Sequence, residues 1–113
     1  MPIRRFTVIL PHPHAARGHD VAFSFNAQSP ATFAGQLTTA LRDAAWFARW
    51  RNSQADPETI QPALAACDPD VRVLAHLDDP RIVLEINTTL ASKVICHRMA
   101  LLAGHNWELH DVR

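Results

Sequence analysis

Three histidines and a carboxylate fall within nine residues: His12, His14, His19 and Asp20. Imidazole and carboxylate are zinc ligands. His12 and His14, two apart in an extended segment, would project to the same side of the chain. A zinc site takes at least three ligands from protein, so His19 or Asp20 would have to fold back across Arg17-Gly18. Pro11 and Pro13 favour an open path that resists such convergence. The spacing fits no established zinc motif, and the stretch reads as a hairpin connection that turns at Arg17-Gly18. It predicts neither a metal nor a cofactor.

Other chemistry is sparse. Cys96 and His97 are adjacent, and neighbours on a helix point about 100° apart, so they predict no nucleophile–base pair. A phosphate loop, a dinucleotide fingerprint, a nucleophile elbow and a metalloprotease helix are all missing from the sequence.

The elements that would position these residues follow from pattern. Ile3 to Leu10 reads as a strand stopped by Pro11. Its expected partner is Asp20 to Asn26, where Val21, Phe23 and Phe25 alternate with polar or small residues. Ser29 as N-cap and Pro30 at the first helical position open a long helix to about Asn52. Asp56-Pro57 starts a short second helix that ends at Cys67-Asp68-Pro69. Val71–Leu77 and Arg81–Asn87 predict a second hairpin across Asp78-Asp79-Pro80. Thr88 and Thr89 offer caps for a helix from about Thr89 to Ala103, Gly104 is placed to end it, and Trp107–Val112 adds a last strand. The expectation is a single α+β domain over residues 1–113. It is two-layered, with a mostly antiparallel sheet of about five strands, two main helices on one face and one short helix.

Carried as one helix from Ala31, residues Phe33, Leu37, Ala40, Leu41, Ala44 and Ala48 form a core stripe with Phe47 on its edge. Trp46 and Trp50 then fall on the far side, among Arg42, Asp43 and Arg49. Arg42, Trp46, Arg49 and Trp50 make the candidate partner-binding face, because Trp and Arg are enriched at interface hot spots. The alternative is that residues 53–67 fold back over the tryptophans, with Ile60 and Leu64 as the contacts.

On the last helix, Arg98 projects from near the centre of an apolar arc of Leu90, Val94, Ile95, Met99 and Leu102. Glu85 on the preceding strand is the carboxylate in reach, and the other reading is that Arg98 snorkels to the rim.

Composition bounds the rest. At 113 residues, with 48% hydrophobic residues, eight prolines and three glycines, the chain is one ordinary globular domain. Eleven basic residues balance eleven acidic ones and only one is a lysine, so nucleic acid is a poor partner. No apolar stretch is long enough to span a bilayer, which predicts no membrane contact. The two cysteines form no C-x-x-C pair, and with no secretory signal they read as reduced thiols in the cytoplasm.

These observations point to a non-catalytic protein-binding module, a small intracellular adaptor, inhibitor or immunity-type protein. It would act through the Trp46/Trp50 face and self-associate, most simply as a homodimer. A second reading starts from Met1-Pro2-Ile3. A penultimate proline that loses its methionine leaves a secondary amine, which resembles the tautomerase superfamily. The resemblance covers Pro2 and the few residues after it, plus a comparable length, and it implies a small enzyme with Pro2 as base. The strand at 20–26 departs from the direct strand-to-helix unit of those proteins.

Overall fold

A computed structural model describes residues 2–113; Met1 lies outside the described residues. Alternation sets the first strand, β1 (Arg4–Leu10), with Phe6, Val8 and Leu10 all buried on one side. Two helices follow, α1 (Pro30–Arg42) and α2 (Ala44–Asn52), then the hairpin β2 (Arg72–Asp78) and β3 (Arg81–Thr88), helix α3 (Ser92–Ala103) and strand β4 (Glu108–Val112). The fold is α+β, with one antiparallel sheet in the order β2-β3-β1-β4. Phe6, Val8 and Leu10 stand opposite Ile86, Leu84 and Ile82, so both central strands give the same face to the core. A bulge shifts the β1–β4 register between Thr7 and Val8.

Among the described residues the sheet has four strands rather than five. Residues 20–26 do not pair with β1, whose two sides are taken by β3 and β4. Instead the Asp20 carboxylate accepts from the Ala22 N–H and caps one 3₁₀ turn, Val21–Phe23. The N–H of Phe25 then donates to the carbonyl of Leu102 in α3, at 2.9 Å. The alternating aromatics are buried as predicted, but against helices: Phe25 meets Phe33 edge-on at 4.9 Å.

Nor does the histidine stretch form a hairpin. It makes a 3₁₀ turn at Pro13–Ala15 and then crosses the C-terminal end of α3. That crossing is close. A Cβ at Gly18 would stand 1.9 Å from the Leu101 carbonyl oxygen, and one at Gly104 would stand 2.7 Å from the Arg17 oxygen. Gly104 also takes the left-handed φ of 64° that ends α3.

The long helix breaks at Asp43. This residue is extended, at φ −96° and ψ 110°, and serves both helices: its N–H donates to Thr39, and its carboxylate accepts from the N–H of Ala45. The break changes the phase of the apolar stripe. Ala44 and Ala48, expected inside, are exposed, while Trp46 and Phe47 are buried. The short helix expected after Asp56 resolves into two 3₁₀ turns, Pro57–Thr59 and Pro62–Ala65, since Pro62 interrupts a continuous helix. Among the described residues, no helix is long and apolar enough to cross a membrane.

Candidate functional site

The four residues expected to share one face are separated by the break at Asp43. Trp46 is 8% exposed and packs edge-to-face on Phe23, ring centroids 5.4 Å apart. The 3₁₀ turn at 21–23 supplies this contact. Trp50 is half-buried against Phe47 at 5.3 Å and His97 at 5.0 Å. Arg49 stays exposed on α2. Arg42, at the end of α1, is also exposed and donates to the Val71 carbonyl at 3.3 Å. An exposed tryptophan pair is therefore not present, because each indole packs in a different direction.

Behind Trp50 stands the least expected polar group of the fold. Arg98 is fully buried and has no carboxylate partner among the described residues; Glu85 is not its partner, and its side chain does not reach the rim. Its guanidinium donates to the carbonyls of Ala40 (2.9 Å), Leu64 (2.6 Å) and Ala66 (3.0 Å) and lies 4.3 Å from the centroid of the Phe47 ring. Burial pulls Arg98 down from its ordinary value, and the Cys67 thiol beside it opposes that. One side chain thus ties α3 to the end of α1 and to the loop before β2. His97 is held below the usual imidazole range by burial and by the neighbouring Arg98 charge, and its Nδ1 is buried without a hydrogen-bond partner.

Asp68 is the other buried charge. Burial raises its carboxyl, but hydrogen bonds from the Thr88 hydroxyl (2.7 Å) and the N–H groups of Asp70 and Thr89 outweigh this, with Arg42 nearby. The net direction is down. Thr88, expected to cap α3, is engaged here instead, and α3 begins at Ser92 with no side-chain cap.

The remaining candidates stand apart. His12, His14 and His19 are exposed, with the first two rings 6.5 Å apart. Among the described residues, no three His, Cys, Asp or Glu side chains gather as metal ligands would. Pro2 is exposed beside a recess of about 130 Å³ lined also by Arg4, Thr89, Leu90 and Ala91. That is a poor setting for a proline amine, whose pKa has to be lowered by desolvation.

A surface that the helix-face reading missed lies on β2. This strand ends the sheet, so one of its backbone edges is unpaired. It carries Leu74 at 61% and Leu77 at 60% exposure, on opposite faces of the strand. The signal was present in the segment Arg72-Val73-Leu74-Ala75-His76-Leu77-Asp78, which ends in opposite charges. Comparison with known proteins adds nothing: no family model, curated protein or solved structure matches the chain.

Proposed function

We propose that this protein is a non-catalytic protein-binding module of the cytoplasm that pairs with a second copy of itself through the open edge of β2. The reading keeps the class expected from the sequence and moves the contact away from Trp46 and Trp50, whose indoles are engaged in the fold. The observation that carries it is the self-complementarity of β2. Set two β2 strands antiparallel about a two-fold axis through Ala75. Arg72 then faces Asp78 of the second copy, Val73 faces Leu77, and Leu74 faces His76. A single register covers both exposed leucines, satisfies the free backbone edges and places opposite charges across from each other at both ends. The product is a continuous eight-stranded sheet. Seven residues of strand make a small contact, so the dimer is concentration-dependent rather than obligate. A small adaptor, inhibitor or immunity-type protein fits such a device.

The test is solution mass by light scattering over a concentration series, for the native chain and for Leu74→Lys combined with Leu77→Lys. Both leucines are exposed, so the variant keeps its fold by circular dichroism. The expected result is a native dimer and a folded, monomeric variant. A native chain that stays monomeric to its solubility limit would overturn the proposal.

A further inference from the structure

We infer that mild acid releases the β2 pairing and that His76 is the group that senses it; this rests on the proposed pairing and adds its control. Alternation along β2 puts Arg72, Leu74, His76 and Asp78 on one face of the strand. Their opposite numbers on β3 are Asn87, Glu85, Val83 and Arg81, while the core-facing residues of β3 are Ile82, Leu84 and Ile86. His76 thus stands exposed on the open face of the sheet, across from Val83, with Glu85 and Arg81 on the two diagonals. It is the one histidine of β2.

What decides the sign is what the second copy adds, because the groups of the same chain are present before and after pairing. With the two-fold through Ala75, Leu74 of the second copy comes directly opposite His76. Arg72 and His76 of the second copy take the diagonals, about 7 Å away. All three oppose a charge on the imidazole. Leu74 removes water from it, and Arg72 and the second imidazolium repel it. The carboxylates do not offset this. Asp78, two residues along the same face, gains Arg72 of the second copy as its own counter-charge and gives less to His76. Glu85 of the second copy lies beyond Leu74, two strand spacings or roughly 10 Å from His76, where charges in water are largely screened. Pairing therefore lowers proton affinity at two equivalent positions. Separate chains bind more protons than the dimer through the imidazole range, so pairing is strongest above that range and weakens as pH falls through it.

The test is sedimentation equilibrium of the full chain at about pH 7.5, 6.5 and 5.5 and constant ionic strength, a window that spans imidazole titration and stays above that of ordinary carboxyls. Circular dichroism at each pH keeps the comparison to folded protein. His76→Gln, an exposed change that keeps a polar side chain but takes up no proton, is measured beside it. The dimer dissociation constant of the native chain is expected to rise at least about fivefold from pH 7.5 to 5.5, and that of His76→Gln less than about twofold. A native dimer whose constant does not move would overturn the inference and leave the β2 pairing standing. An equal rise in His76→Gln would overturn it too, since the sensor would then lie elsewhere. A chain that is monomeric at every pH would overturn the pairing and this inference with it.

Discussion

The guanidinium of Arg98 donates to the backbone carbonyl of Ala40 at 2.9 Å across 58 residues of sequence, inside the core and without a carboxylate to balance it. A planar fork of five donors can serve three diverging carbonyls at once, whereas an ammonium cannot hold that geometry. Arg98→Lys keeps the charge and leaves buried carbonyls unpaired, at about 1–3 kcal/mol each. The expected loss is about 2 kcal/mol or more in urea denaturation, with Arg98→Ala worse because it adds a cavity. A loss below about 1 kcal/mol for Arg98→Lys would mean that water reaches the carbonyls and that the three-way tie is not structural.

Arg98 also shows how far the sequence could be read. Its place near the centre of an apolar arc left two readings, an ion pair with Glu85 or a side chain that snorkels to the rim, and it does neither. Its partners are backbone carbonyls, which every residue has and no pattern reveals, so Glu85 was the only visible candidate. Ser29-Pro30 was legible because capping is local chemistry, and the Ser29 hydroxyl does accept from the N–H of Thr32. So was the alternation of β3, whose Ile82, Leu84 and Ile86 are buried. The break at Asp43 was not. One extended residue resets the helical phase, and continuing the 100° wheel past it turned Trp46 outward and Ala48 inward. The segment 20–26 misled for a related reason: Phe23 and Phe25 bury their rings without a strand partner, and Val21, the third member of the alternation, is exposed.

Folded stability should fall on mild acidification because of His97. Burial and the Arg98 charge lower its folded-state value, while the unfolded chain takes up a proton near the ordinary value of about 6.5. Below that pH the unfolded state binds more protons, so stability decreases as pH drops through the window down to the lowered folded value. Native protein should therefore show a lower urea midpoint at about pH 5.5 than at about pH 7.5, and His97→Phe, which keeps an aromatic ring beside Phe47 and Trp50 but cannot titrate, should shrink that difference. Asp68 does not confound the comparison: its folded value is lowered, so its contribution is lost only below about pH 4. An equal pH dependence in His97→Phe would assign the effect to other histidines.

Two glycines should respond in opposite directions to the same added methyl group. Gly18→Ala drives a Cβ into the Leu101 carbonyl, which is backbone and cannot swing aside, so the 16–18 crossing must lift off α3. A loss of about 2 kcal/mol or more is expected, together with faster amide exchange in the last turn of α3. Gly35→Ala meets open space on a helix and should gain about 0.5–1 kcal/mol. Thermal melts of the two variants check the contrast, and a tolerated Gly18→Ala would mean that the close crossing is not what holds this loop.

The register proposed for β2 makes a sharper claim than dimerisation itself. Arg72→Asp puts like charges opposite each other at both ends of the two-fold contact, and Asp78→Arg does the same with the sign reversed. Each opposite-charge cross-strand pair contributes about 0.2–1 kcal/mol and occurs twice, so either single change should weaken the dimer roughly two- to thirtyfold. Combining the two restores complementarity, and dimer affinity should return towards native, with a gain that fades at high salt. Asp78 also pairs with Arg81 within its own hairpin, but that pair is exposed, so losing it leaves the fold intact and cannot account for a rescue by the double change. Sedimentation equilibrium on these four proteins and on Leu74→Lys separates the outcomes. If Leu74→Lys abolishes pairing while both charge reversals leave it untouched, β2 is the edge but Ala75 is not its centre. If the double variant pairs as poorly as the single ones, Arg72 and Asp78 do not face each other across the two-fold, and the antiparallel register fails with them.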